Sequence, residues 1–359
     1  MSQPVAGATD CDVHVPPPPV SALLPWLDAY WAEQVTARNI DRAPFTLTSY
    51  PAQAPYSCRE DWRAPGGGLP WLRERLLDRF GLGLAVCSVL HGAVTLHNQD
   101  MAAALCAAVN DWLAAEWLAK EPRLRGSILV PVDDTDLAVR EIERLAPDGR
   151  FVQVLLLVMH ERPLGHRAYW PIYAAAERHG LAVAVHAGSH YRHAPGSGGW
   201  TTYQVEDHVQ HSFAFENTLV SFLAEGVFQK FPALKLVFLE SGFAWLPTLL
   251  WRCDKTWRGT RAEVPWLDRP PSEILRGRLF LGLRPCDPPG PAELSAVLRH
   301  LAPAGGTDLL LFSTDFPHRH FEGDAALPAG LPEESLPAIL SGNAARACPR
   351  LAPAPVETS

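Results

Sequence analysis

Eight short apolar runs alternate with amphipathic stretches along this 359-residue chain, and that alternation leaves few architectures open. The runs are Asp10–Val15, Leu84–Leu90, Ser127–Val132, Phe151–Val158, Leu181–His186, Lys235–Leu239, Arg278–Leu283 and Leu309–Ser313. Most are apolar throughout rather than at every second residue, as expected of parallel strands buried on both faces. Between them lie helix-like segments, among them Met101–Lys120, Leu137–Leu145, Tyr169–Gly180 and Asn217–Lys230. Asp133-Asp134-Thr135-Asp136 supplies capping oxygens before one of these, and His179-Gly180 closes another. Strand and helix in strict alternation predict an α/β fold, a (β/α)8 TIM barrel, with residues 1–351 as one domain.

Three segments interrupt the pattern: Asp41–Gly68, His190–Gln210 and Trp257–Pro271. Loops that follow barrel strands line the active face, so these read as inserted lids after the first, fifth and sixth strands. Gly66-Gly67-Gly68 lacks the Lys-Ser/Thr of a phosphate loop and reads as a flexible turn. Residues 352–359 read as a loose tail.

Composition narrows the function. With 47% hydrophobic and 19% charged residues the chain can bury a large core, which excludes disorder as its general state. No apolar run approaches the roughly 20 residues that span a bilayer, and the first ten residues lack the pattern of a secretory signal. A net charge of −8 argues against a nucleic-acid surface. The seven cysteines show no CxxC spacing and read as free thiols, which places the protein in the cytoplasm. The expected partner is a small-molecule substrate, with a homodimer in view because Pro51–Pro70 offers an apolar excursion.

Chemistry is suggested by what stands at the strand ends. Asp12 and His14 share one side of the first strand by period-two alternation. His186 ends the fifth strand, Glu240 the sixth, and Asp315 follows the eighth. A lone histidine there is usually a hydrogen-bonded structural residue, and an aspartate is often a helix cap. Four strands ending in an acid or imidazole are a different matter, because a barrel converges such groups on one site. Two aspartates and two histidines match the oxygen and nitrogen donors of a divalent transition metal, Zn or Mn. His318 and His320 are placed to orient Asp315 or touch substrate, while His190, His193, His208 and His211 read mainly as solvated loop histidines. Trp200 and Trp266 are candidates to line a pocket for a planar ligand, and His190 and Trp245 are further candidate substrate contacts. No G-x-S-x-G nucleophile elbow occurs.

At these residues the chain resembles the amidohydrolase superfamily, in the amidohydrolase-related branch that includes aminocarboxymuconate-semialdehyde and resorcylate-type decarboxylases. The resemblance runs from Asp10-Cys11-Asp12-Val13-His14 to Gly342-Asn343-Ala344-Ala345-Arg346. Between them come Asn110-Asp111-Trp112-Leu113, Pro122-Arg123-Leu124-Arg125-Gly126, Tyr169-Trp170-Pro171-Ile172-Tyr173, His186-Ala187-Gly188, Glu240-Ser241-Gly242-Phe243-Ala244-Trp245-Leu246-Pro247 and Ser313-Thr314-Asp315-Phe316-Pro317-His318. It implies a distorted (β/α)8 TIM barrel with one divalent metal, with ligand roles on Asp12 or His14, on His186 and on Asp315. It also implies non-oxidative decarboxylation of a cyclic or aromatic acid, or hydrolysis of a lactone, ester or amide. Two departures stand out. The common His-x-His pair is replaced by His14-Val15-Pro16, which leaves Asp12-Val13-His14 as an acid-x-His start. Glu240 stands where the decarboxylases usually carry a catalytic histidine, so catalysis is expected from Glu240, Asp315 and His318. A metal-free barrel that binds or rearranges its ligand is the third alternative.

Overall fold

The computed structural model describes residues 5–40, 67–188, 193–194, 196, 198–318 and 321–351. Residues 41–66 of the first excursion, His190, His320, Cys58 and the tail 352–359 lie outside them. Eight parallel strands appear in chain order: β1 Thr9–His14, β2 Leu84–Ser88, β3 Leu124–Leu129, β4 Phe151–Leu157, β5 Ala182–His186, β6 Leu236–Leu239, β7 Leu279–Gly282 and β8 Leu310–Leu311. The longer helices are α1 Ala29–Ala37, α2 Gln99–Leu113, α3 Thr135–Leu145, α4 Trp170–Arg178, α5 Gln204–Ala224, α6 Leu246–Thr260 and α7 Pro291–His300. Each strand pairs with the next, so the sheet order is the chain order, as a (β/α)8 barrel requires. The seam is closed between β1 and the chain after β8, where Cys11 N donates to Phe312 O, Asp315 N to Asp12 O and His14 N to Phe316 O. Among the described residues no helix is long and apolar enough to cross a membrane.

The strands form where they were expected because their side chains are buried on both faces; every residue of β4 and β5 is buried. The largest departures from the apolar runs are at β3 and β8. β3 begins at Leu124 and ends at Leu129, three residues earlier than its apolar run, because Leu124 and Arg125 already pair with β2, and Pro131 beyond it has no N–H to give. β8 is only two residues long, yet the extended chain after it continues to bond β1. Buried asparagines tie helix to strand. Asn110 of α2 donates to Leu129 O and Glu141 of α3 and accepts from Leu129 N, which occupies both backbone groups at the end of β3.

The expected lids are corrected in two places. The helix predicted from Asn217 starts thirteen residues earlier, at Gln204, so the last part of the His190–Gln210 excursion is helical. Glu206 accepts from Thr202 N and Tyr203 N and caps that start, and no glycine or proline interrupts the run before Gly226. His211, read as solvated, is therefore buried on α5 and faces Asp207 at 3.3 Å. The third excursion is no lid. A helix that follows a barrel strand runs back antiparallel to it, so α6 carries the chain to the N-terminal ends of the strands before residue 261. There Trp266 donates its indole N–H to Ala224 O and packs over Gly226, whose φ of 74° ends α5. Trp266 thus lines a surface hollow of about 550 Å³ at the opposite end of the barrel, among Arg269, Arg276 and Arg278.

Candidate active site

β1, β5 and the turn after β8 bring four buried side chains together at the C-terminal end of the barrel. One donor atom from each of Asp12, His14, His186 and Asp315 lies within 4.8 Å of the other three. His14 Nε2 is 3.2 Å from Asp12 Oδ1 and 3.1 Å from Asp315 Oδ1, and His186 Nε2 is 3.8 Å from Asp12 Oδ1. β1 reaches this geometry through a bulge: one extra residue between Asp10 and Val13 relative to β2 re-aims the strand end. His186 Nδ1 lies 2.9 Å from Ala187 O, which fixes the tautomer with the proton on Nδ1 and leaves the Nε2 lone pair facing the cluster.

The donor set fits a divalent cation. Both oxygens of Asp12, both nitrogens of His14 and Nε2 of His186 are buried without a hydrogen-bond partner. Such orphaned groups are costly unless something charged satisfies them. Burial alone would pull the His14 imidazole down, yet the carboxylates of Asp12 and Asp315 outweigh it and hold the ring at about 10. Burial would likewise raise Asp315, but His14 and His318 hold it well below the ordinary carboxylate range. The pocket therefore favours positive charge at its centre, and two oxygen with two imidazole donors suit Zn²⁺ or Mn²⁺.

Around this cluster the backbone is held in uncommon conformations. Glu240, at the end of β6, has φ of 54°, and Asp315 has φ of 60°; both are non-glycine residues in the left-handed region and both are buried. Glu240 Oε2 lies 3.6 Å from His186 Nε2. The turn that carries Glu240 is braced by Trp245, whose indole N–H donates to Ser241 O. The turn that carries Asp315 is braced by Asp10, which accepts from Thr314 N and Thr314 Oγ1. Burial pushes the Asp10 carboxyl up to about 7 against those bonds. His318 Nδ1 is 3.3 Å from Asp315 Oδ1, and the ring stacks on His14 at 3.8 Å between centroids. Burial and the neighbouring His14 hold His318 below its usual value. Its side chain is 24% exposed, so it stands at the open edge of an otherwise closed cluster.

Of the residues singled out in the sequence, Asp12, His14, His186, Glu240, Asp315 and His318 meet in one place. Trp245 is half-buried and its donor is engaged on the backbone, while Trp200 is 61% exposed. Sequence reasoning gave no role to three buried polar residues, one at the start of β1 and two just past strand ends. Asp10 precedes the acid-x-His start, and His91 follows β2 with burial lowering it to about 4. Arg284 follows β7 and donates to Ala325 O and Ala326 O, clamping the chain beyond His318. For His91 and Arg284 the signal was the same one used for Glu240, a polar residue directly after an apolar run.

The Amidohydro_2 family model, described as amidohydrolase, matches residues 9–349. Gamma-resorcylate decarboxylase of Polaromonas sp. (strain JS666) is 26% identical over 269 residues, 70% of this chain and 77% of that protein. Among solved structures, an amidohydrolase from Mycobacterium avium subsp. paratuberculosis K-10 superposes with a TM-score of 0.68 at 20% identity, covering 94% of this chain and 98% of that one. A dihydroxybenzoic acid decarboxylase from Polaromonas sp. JS666, with bound manganese and the inhibitor 2-nitroresorcinol, gives 0.62 at 20% identity, covering 95% and 96%. With its barrel, its strand-end acids and imidazoles and a family match over nearly its whole length, the chain belongs to the amidohydrolase family.

Proposed function

We propose that this protein is a divalent-metal-dependent, non-oxidative decarboxylase of a small aromatic or cyclic carboxylic acid. The observation that carries the reading is the buried convergence of Asp12, His14, His186 and Asp315, with donor atoms of the first three left without hydrogen bonds. These four would hold Zn²⁺ or Mn²⁺, and the manganese-bound relative supports the second. When bound, the cation supplies a Lewis-acidic centre that draws in a substrate oxygen and stabilises negative charge developing on the substrate. The decarboxylase names of the relatives support the substrate class.

Glu240 is the proton donor in this reading. As the bond between ring carbon and carboxylate breaks, its electron pair stays on carbon, carbon dioxide leaves, and the Glu240 carboxyl protonates that carbon. Glu240 then regains a proton from solvent. The role suits a carboxyl that is 4% exposed and fixed by a constrained backbone. His318, at the open edge, orients Asp315 and contacts the substrate. His190 and Trp200 are further substrate contacts, and Trp245 fixes the turn that presents Glu240.

Hydrolysis of a lactone, ester or amide is the second reading, favoured by one observation: the sixth strand presents a carboxylate beside His186, suited to take a proton from an attacking water. The test begins with elemental analysis of the wild type beside His186→Ala and Asp315→Ala. About one equivalent of Zn or Mn, lost in both variants, is expected. Folded wild-type protein that is metal-free and indifferent to added Zn²⁺ or Mn²⁺ would sink both readings and leave a metal-free binding or rearrangement barrel. Release of carbon dioxide from hydroxybenzoic acids, against opening of lactones, then separates the two chemistries. Glu240→Gln should keep the metal and lose turnover.

A further inference from the structure

The mouth of the barrel divides into two halves of different chemistry, and strand register shows which side chains share its inner face. His14 is paired with Ser88, whose Oγ lies 3.1 Å from Ser127 Oγ, and Ser127 is paired with Gln153. Further along, Leu129 is paired with Leu155 and Leu157 with His186. Paired residues of neighbouring strands point the same way, as do alternate residues of one strand. Leu129, Leu155 and Leu157 therefore face inward together with His14 and His186. These three leucines, with Leu90, His91 and His160, line a small hollow over β2, β3 and β4. Its lining contains no carboxylate, lysine or arginine among the described residues. The hollow begins at Leu157, one strand spacing or about 5 Å from His186, while the ionisable cluster stands on β1, β5 and the turn after β8.

His91 sets what the hollow accepts. It is 1% exposed, and its Nδ1 accepts from Ala93 N at 3.1 Å, capping the short helical turn Gly92–Thr95. Burial holds the ring at about 4, so at pH 7 it is neutral and its proton sits on Nε2. That N–H has no hydrogen-bond partner among the described residues, and a buried donor without an acceptor is costly. The hollow measures about 10 Å³, room for one water-sized group. We infer that it is a specificity subsite for one ring hydroxyl of the substrate, whose oxygen accepts from His91 Nε2. The inference rests on the decarboxylase reading and narrows its substrate class. With the substrate's carboxylate at the Asp12, His14, His186 and Asp315 end, the hydroxyl that enters the hollow stands meta or para to it. An ortho oxygen stays beside the carboxylate. A second carboxylate is excluded by size and by burial of an unpaired charge. A methyl group fits but leaves the His91 donor without an acceptor.

Titration calorimetry on the full-length Glu240→Gln protein loaded with Mn²⁺, which leaves the ligands intact, tests this. The probes are salicylate and its derivatives with a hydroxyl, methyl or carboxyl group meta or para to the carboxylate. At least one hydroxyl derivative should bind about tenfold or more tightly than the methyl derivative of the same position, and the dicarboxylates should bind least. Adding His91→Asn keeps an oxygen for Ala93 N but withdraws the donor on a shorter side chain. Its metal content and thermal midpoint should be unchanged, and hydroxyl and methyl ligands should then bind within about threefold of each other. Equal affinities before that substitution, or a hydroxyl preference that survives it, would overturn the inference and leave the decarboxylase reading standing. Should His91→Asn not fold, the ligand series on the parent protein decides by itself. A protein that binds none of the salicylates would take both down.

Discussion

Glu240 offers a measurement in which backbone strain and function separate. At φ of 54° any residue with a Cβ pays for the left-handed conformation, about 1–2 kcal/mol, while glycine does not. Glycine in turn gives the unfolded chain more freedom, which costs it about 0.4–1 kcal/mol against alanine. Comparing Glu240→Ala with Glu240→Gly removes the same carboxylate in both, so the loss of its contacts cancels. The remaining difference should favour glycine by about 0.5–1 kcal/mol. The reverse holds at an ordinary helix position: Ala174→Gly in α4 should destabilise by about 1 kcal/mol. Urea unfolding of the chelator-treated proteins gives these differences without the added stability of bound metal. Neither Glu240 variant should turn over substrate, and Glu240→Gly should be the more stable of the two inactive proteins. An alanine variant as stable as the glycine variant would show that the backbone at this strand end is not strained, and the case for a conformation held in place for catalysis would fall.

Other perturbations test the scaffold. Asn110→Asp replaces a donor by an acceptor facing Leu129 O and Glu141, and should cost about 3 kcal/mol in urea unfolding; a loss under 1 kcal/mol would mean the clamp on β3 is dispensable. Gly165→Ala would drive a Cβ into the backbone of α5 at Ser221 and Phe222, so several kcal/mol of destabilisation is expected, and a wild-type thermal midpoint would refute that packing. Glu121 accepts from Arg73 and Arg123, and Arg123 foremost holds its carboxyl at about 2 against an ordinary 4.5. Its folded value lies below its unfolded one, so its contribution is complete above about pH 4.5 and fades as pH falls toward 2. Glu121→Ala should therefore cost about 2 kcal/mol at pH 7 and little at pH 2.5, and equal losses at both would contradict the ion-pair origin.

The barrel was legible because burial on both faces writes itself into composition: β4 and β5 are apolar runs that only a covered parallel sheet can use. His186, Glu240 and Asp315 were legible for the complementary reason, since an ionisable residue at or just past the end of such a run is conspicuous, while Asp12 and His14 were legible by their period-two alternation on the first strand. The landmarks that carried the family resemblance divide between the site and the scaffold. Asp12 and His14 belong to the site, whereas Asn110 and Asn343 tie backbone groups together, Asn343 by donating to Thr307 O and Leu310 O.

What stayed hidden depends on groups distant in sequence. Trp257–Pro271 has the composition of a lid, but the length of α6 decides at which end of the barrel it emerges. His211 reads as one more solvated histidine until a capped helix through Gln204 turns it inward. Local pattern, then, determined which segments are strands and which strand ends carry charge, because side-chain burial has a fixed period along each element. Only the closed sheet decided that donors from β1, β5 and the β8 turn lie within 4.8 Å of one another, and that Glu240 and Asp315 occupy left-handed backbone beside them. Those distances follow from strand pairing, a bulge in β1 and the seam that joins it to the chain after β8, none of which is a property of any single segment.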